Sequence, residues 1–405
     1  MKPIVRAGRM KPVHSDIRGP LFVEAMKRQK QGIDILKLNT GNPATFGFGL
    51  PDSIKNALME HMQDGVGYCD FKGMPQARQA ICDYETSKGI KGITPDDVFI
   101  GNGVSEVVSF ALTPLLNDGD EVLVPSPSYS LWGNSVYLED GKPVFYTCDE
   151  QANWYPDIQD IRSKITDKTK AIVIINPNNP TGVLYPKEIL LEIIQIARES
   201  GLLIFADEIY DRLVMDGKQH ISLASLTEDV PVITLNGLSK SHCLCGYRCG
   251  WMVISGPREL TEDYRQGIIQ LTSLRLCANT MAQIVIPAAL DDMETPASMV
   301  RPGGRIYEQR EATVRELEKI DGLSFIKNDA AFYVFPKLDV KKFNITNDKQ
   351  FAHDLLDVTN ILLVPGSGFD WKDPDHFRIV MLPQADILSD AIRRMGTFLD
   401  GYKQK

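Results

Sequence analysis

Long apolar runs are missing from this sequence. None approaches the roughly 20 residues that span a bilayer, and the first 30 residues hold no apolar core of the kind a secretion signal needs. Membrane insertion and export are therefore disfavoured. Cysteine is scarce and odd in number: seven, unevenly spaced and without a Cys-x-x-Cys pair, which gives no disulfide framework and fits a reducing compartment. The expected location is the cytoplasm. Cys243, Cys245 and Cys249 cluster, but with no fourth ligand in view they read as small residues filling a packed loop rather than as a metal site. Positive charge is in deficit, with 44 Lys and Arg against 53 Asp and Glu, a formal net charge of −9 that repels a phosphodiester backbone. No basic patch offsets it, so nucleic acid is not an expected partner. A Gly-x-Gly-x-x-Gly turn is also lacking. The nearest approach, Gly101-Asn102-Gly103, has no third glycine, which argues against a dinucleotide-binding fold. No repeat or low-complexity tract interrupts the chain.

What remains is a composition able to build a large core, 43% hydrophobic and 24% charged over 405 residues. From about residue 97 to 255, short β-branched runs alternate with amphipathic helical stretches. That alternation predicts a largely parallel sheet covered by helices on both faces, with strands at 98–101, 121–125, 171–176, 202–207, 232–235 and 251–255. Residues 186–200 carry Ile189, Leu190, Ile193, Ile194 and Ala197 at helical period, opened by Pro186 and closed by Gly201, and so form a crossover helix. Beyond about 288 the pattern becomes a polar helix at 305–319 and candidate strands at 331–336, 361–364 and 377–382. The expected division is a large domain over 56–288 and a smaller α+β domain built from 1–55 and 289–405.

Polar motifs gather where these strands end, which is where ligands bind in open α/β sheets. Ile100-Gly101-Asn102-Gly103-Val104-Ser105-Glu106 follows one strand and opens a helix, so the amides of Val104 and Ser105 either hold a phosphate or belong to an ordinary cap. The Asn176-Pro177-Asn178-Asn179-Pro180-Thr181-Gly182 loop has more asparagine and proline than a turn requires; its side chains either brace the loop or, at Asn179, donate to a ligand. Asp207, leaving the apolar strand ahead of Glu208 and Tyr210, is costly to bury without a cation, and a protonated ring nitrogen would serve, whereas Glu208 reads as a local structural or solvated acid. Lys240 in Asn236-Gly237-Leu238-Ser239-Lys240 sits at the head of another strand, where desolvation would depress its pKa and make it an amine nucleophile.

Together these motifs give the chain, over nearly its whole length, a similarity to the class I and II aminotransferases of fold type I, which depend on pyridoxal 5′-phosphate (PLP). It most resembles the bacterial glutamate–pyruvate (alanine) aminotransferases, through Asp-Ile-Arg-Gly-Pro at 16–20, Leu-Asn-x-Gly-Asn-Pro at 38–43 and His-Phe-Arg-Ile-Val at 376–380. The resemblance implies a large domain with a mostly parallel seven-stranded sheet and a smaller α+β domain. It implies that Lys240 forms a Schiff base with PLP and later moves the substrate proton, that Asp207 pairs with the ring nitrogen, and that Asn179 and Tyr210 bond the ring oxygen. By the same resemblance Tyr129 stacks on the ring, and Val104, Ser105, Ser239 and Arg248 hold the phosphate. Tyr68 would reach the phosphate from a second subunit, implying a homodimer with shared active sites. Arg378 would clamp the substrate α-carboxylate, helped by a main-chain group of Gly41. The chain departs from the family pattern at Cys243 and Cys249, and at Gly237, where many members have serine.

The expected reaction is a ping-pong exchange of an amino group between L-alanine/pyruvate and L-glutamate/2-oxoglutarate. Valine, aspartate or aromatic substrates, or a β-lyase reaction, would use the same Lys240, Asp207 and Arg378. Arg18 either reaches the distal carboxylate of glutamate or pairs with a surface acid such as Asp16. A silent transcriptional regulator on this fold would append a DNA-binding module, for which the pattern leaves no room.

Overall fold

The computed structural model describes residues 2–405; Met1, the first residue of the N-terminal segment, lies outside them. Eight strands form one sheet, in the spatial order Val98–Asn102, Cys249–Ser255, Val232–Gly237, Leu203–Asp207, Thr169–Ile175, Glu121–Ser126, Lys142–Asp149 and Tyr155–Pro156. The expected seven strands are thus joined by a two-residue eighth, which pairs antiparallel with Cys148 and Asp149. The other antiparallel member is Cys249–Ser255, hydrogen-bonded to a neighbour on each side. The central strands read as continuous apolar runs because helices cover both faces. Val232–Gly237 and Cys249–Ser255 are buried at every position.

The crossover helix runs Lys187–Ser200 and ends at Gly201, whose φ of 66° is the left-handed cap that glycine takes without penalty. Leu190, Ile193, Ile194, Ile196 and Ala197 face the sheet, and they join Leu123, Ile172 and Ile204 in one core cluster. A separate cluster joins Leu38 near the N-terminus to Leu355, Phe377, Ile379, Leu388 and Ile392. Its framework is the antiparallel set Tyr333–Val334, Phe377–Val380 and Val364–Pro365, with Leu36–Lys37 pairing parallel to Ile361–Leu362. We propose the domain boundaries at 56 and 288 on this basis, because the N-terminal strand is bonded to the C-terminal third. The helix expected at 305–319 spans Arg305–Leu317. Among the described residues no single helix is long and apolar enough to cross a membrane.

Ile193 is fully buried between helix and sheet. Ile193→Ala should lower the unfolding free energy by about 2–5 kcal/mol through lost burial and the cavity left behind. Urea denaturation of the two proteins measures this; equal stability would show that the helix packs elsewhere.

Candidate active site

Strand direction brings the site together. Val98–Asn102, Glu121–Ser126, Thr169–Ile175, Leu203–Asp207 and Val232–Gly237 all end at one edge of the sheet, and Val104, Tyr129, Asn179, Asp207 with Tyr210, and Lys240 follow in turn. Because Cys249–Ser255 runs the other way, it begins at that edge and delivers Arg248 there. Arg378 arrives from the smaller domain on Phe377–Val380. These residues surround a cavity of about 410 Å³, which is also lined by Arg18, Gly41, Ser105 and Ser239. Tyr68 is the one expected site residue outside it, and it is 84% exposed.

Asp207 is buried at the floor of this cavity. Trp132 Nε1–H donates to its Oδ2 at 3.0 Å, and the Ile209 amide to Oδ1 at 3.4 Å. No salt bridge reaches it among the described residues. Burial pushes its pKa up to about 6, and the Trp132 bond only partly offsets this. A cation facing the carboxylate would restore its ordinary ionisation.

Arg378 presents the opposite charge. Its guanidinium is buried, with the Tyr333 and Phe369 rings each 4.6 Å from it. Nη1 donates to Asn179 Oδ1 at 2.9 Å and Nη2 to the Asn39 carbonyl, while Nε has no partner. No carboxylate pairs with Arg378 among the described residues, and burial lowers its pKa. A guanidinium keeps its proton even so, and its fork geometry suits a carboxylate. Because Asn179 Oδ1 is taken by Arg378, only its amide N–H groups remain to donate into the cavity.

Lys240 Nζ donates to the Gly41 carbonyl at 2.9 Å and lies 3.9 Å from Cys245 Sγ. The sequence-based expectation of a depressed pKa is corrected here. Burial does pull the ammonium down, but Tyr333, Cys245 and Tyr129 act in the other direction, and the balance lies above the ordinary lysine value. Lys240 alone in this pocket is therefore a cation. The bond also means that the Gly41 carbonyl serves the lysine. Gly41 must be glycine, since a Cβ there would stand 2.3 Å from Tyr333 Oη.

At the opposite end, Val104–Leu112 points its N-terminus into the cavity, capped by Gly103 at φ 83°. A Cβ on Gly103 would lie 2.2 Å from Arg248 Nη2, so glycine is what lets the guanidinium lie over the helix terminus. Free amides, Ser239 and Arg248 make this end an anion cup. Gly237 is held by a different contact: a Cβ would come 2.5 Å from the Cys249 carbonyl, which leaves no room for serine in this chain.

The alternative pairing of Arg18 with Asp16 does not form. Asp16 is engaged by His14 at 3.6 Å and Lys349 at 3.3 Å, and Arg18 stands exposed at the cavity wall. Glu208 is structural: it accepts from Lys88 at 2.7 Å and from Ser222 at 2.8 Å. The cysteine trio assembles no metal-ligand cluster among the described residues, although Cys245 lines the cavity. Trp132 and Tyr333 are site residues that the motifs missed. Trp132 lies three positions past Tyr129, a spacing that could have marked it; Tyr333 sits inside the candidate strand at 331–336, where nothing in the pattern singles it out.

An α/β fold with a lysine, a lone buried carboxylate and a lone buried guanidinium around one cavity defines a group-transfer site for an amino-acid-like substrate. The aminotransferase class I and II family matches residues 33–392. Glutamate-pyruvate aminotransferase AlaA of Haemophilus influenzae is 49% identical over 404 residues, covering 100% of both chains. The crystal structure of an aminotransferase from Escherichia coli is 46% identical, with a TM-score of 0.98 and 100% of both chains covered. Alanine aminotransferase from Pyrococcus furiosus is 41% identical with a TM-score of 0.92, covering 98% of this chain and 100% of that one. The chain belongs to the class I and II aminotransferases and has their fold-type I architecture. PLP fits the residues present: Asp207 would suit a cationic ring nitrogen, the cup a phosphate, and Lys240 an aldehyde.

Asp207 also makes a pH signature. Its folded pKa of about 6 exceeds the ordinary aspartate value of 3.8, so between pH 4 and 6 the folded protein holds a proton the unfolded chain has lost. Stability therefore falls as pH rises through that window, by up to about 3 kcal/mol. In cofactor-free protein, Asp207→Asn should raise the melting temperature at pH 7, with the gain vanishing at pH 4. A gain that is the same at both pH values would contradict the raised pKa.

Proposed function

We propose that this protein is a PLP-dependent aminotransferase that exchanges an amino group between L-alanine/pyruvate and L-glutamate/2-oxoglutarate in two half-reactions. The observation that carries this reading is the pair of buried charges without counterions, Asp207 and Arg378, facing the same cavity as Lys240. The substrate assignment is supported by relatives named glutamate-pyruvate aminotransferase and alanine aminotransferase, at 49% and 45% identity.

PLP supplies the electron sink that stabilises negative charge at the substrate α-carbon and accepts its amino group. The chain supplies position and protons. Asp207 keeps the ring nitrogen positive, and a carboxylate with a pKa already near 6 gains most from that pairing. The Tyr210 hydroxyl and the Asn179 amide would donate to the ring oxygen, and Tyr129 would cover the ring face. The anion cup of Val104, Ser105, Ser239 and Arg248 holds the phosphate. Arg378 binds the α-carboxylate as a bidentate pair and so fixes the orientation of the α-carbon. Lys240 Nζ would hold the cofactor between cycles and, once free, would move the proton taken from the substrate α-carbon to the cofactor's aldehyde carbon.

Arg18 binds the distal carboxylate of glutamate on this reading, since no acid pairs with it among the described residues. Tyr68 completes the phosphate site from the other subunit of a homodimer. The cytoplasm is the proposed location, a reading that rests on the odd number and uneven spacing of the seven cysteines.

Lys240→Ala should abolish both the visible absorbance that arises when PLP is bonded to the lysine and all transamination; retention of either would sink the assignment. A coupled assay with pyruvate and 2-oxoglutarate as acceptors tests the substrates. Slow alanine–glutamate exchange beside rapid valine, aspartate or aromatic turnover would overturn the substrate reading, and ammonia release would mark a lyase. Arg18→Ala should raise KM for glutamate about tenfold while leaving KM for alanine within about twofold. Equal changes for both substrates would remove Arg18 from the distal site.

A further inference from the structure

Tyr333 bridges Arg378 and Tyr210 across the site. It lies on the short strand Tyr333–Val334, directly beside the strand that carries Arg378, with Tyr333 opposite Val380. The side chain is 2% exposed. Its ring lies against the Arg378 guanidinium at 4.6 Å, and its hydroxyl is 2.8 Å from the Tyr210 hydroxyl. Tyr210 comes from the other domain, just past the strand that ends in Asp207. The absence of a side chain at Gly41 makes room for this contact, because any Cβ there would strike Tyr333 Oη.

The direction of that hydrogen bond follows from counting protons. Each phenol has one proton to donate and can accept two bonds. Burial, reinforced by Tyr333, holds the Tyr210 pKa well above the ordinary phenol value, so Tyr210 stays protonated in the working range. If Tyr210 donates its only proton to the cofactor ring oxygen, its own oxygen can only accept, and Tyr333 must be the donor. Donation into Tyr210 polarises its O–H bond and strengthens it as a donor in turn.

We propose that Tyr333 is a positioning residue for the transamination site: its hydroxyl directs and strengthens the Tyr210 hydrogen bond to the ring oxygen, while its ring face seats Arg378. This rests on the PLP reading above. One side chain then sets the orientation of the substrate clamp relative to the group that adjusts the acidity of the cofactor. Donors at the ring oxygen withdraw electron density from the conjugated system and lower the pKa of its nitrogen. Weakening the relay must therefore raise it.

The test is a spectrophotometric pH titration of PLP-loaded wild type, Tyr333→Phe, Tyr210→Phe and the double variant, with KM for L-alanine measured alongside. Tyr333→Phe should raise the pKa of the visible chromophore by about half a unit. It should leave KM for L-alanine within about twofold, because the ring face against Arg378 remains. In the Tyr210→Phe background the same substitution should produce no further shift. A Tyr333→Phe chromophore that titrates with wild type would overturn the proposal, as would a shift that persists without the Tyr210 hydroxyl. Failure of the wild type itself to form a visible chromophore with PLP would instead overturn the cofactor reading, and this inference with it.

Discussion

Two charges that the chain buries and does not neutralise govern this site. A carboxylate or guanidinium removed from water costs several kcal/mol unless a partner repays part of the loss. Asp207 responds by holding its proton up to about pH 6. Arg378 cannot release its proton, so it leans on two aromatic faces, a carbonyl and the Asn179 amide oxygen. Both solutions are incomplete by construction. The two charges could have been paired with each other, but they enter from different domains and face the same cavity instead. On the proposed reading, a ligand pair with a cationic ring at one place and a carboxylate at the other would offset the desolvation of both.

Backbone direction and missing side chains convert that constraint into geometry. Parallel strands deliver their carboxyl ends to one edge, and the single long antiparallel strand adds Arg248 at the same edge by starting where the others stop. Gly103 then opens the helix N-terminus to that guanidinium, and Gly41 opens the wall to the Tyr333 hydroxyl. At these two glycines, space rather than flexibility alone is what the site requires.

Much of this was legible in the sequence, for a physical reason. Lys240, Asp207, Asn179 and Val104 each follow an apolar strand within a few residues, so local pattern and position coincide. The strand at Lys142–Asp149 was not legible: its half-buried alternation lacks the continuous apolar run of its neighbours, and it lies toward the edge of the sheet. Lys240 shows the deeper limit. Its place was readable, but the direction of its pKa depends on Tyr129, Cys245 and Tyr333, and the last of these lies 93 residues along the chain in another domain. Tyr333 itself carried no motif, because an aromatic residue in a strand is indistinguishable from core until its hydroxyl is seen to meet Tyr210.

On the proposed assignment of Arg378 to the α-carboxylate and Arg18 to the distal one, alternate acceptance of alanine and glutamate has a physical basis in the contrast between two arginines. Arg378 is buried, so leaving it unpaired is costly in every cycle, and every substrate must bring an α-carboxylate to it. Arg18 is exposed and stays hydrated when the substrate side chain is only a methyl group, so an unused charge there costs little. A second carboxylate gains an attraction at that same exposed place. Had Arg18 been buried as deeply as Arg378, the methyl substrate would have stranded a dry guanidinium, and one pocket could not serve both. On the proposed reading, the burial difference between the two arginines thus sets which carboxylate is obligatory and which is optional.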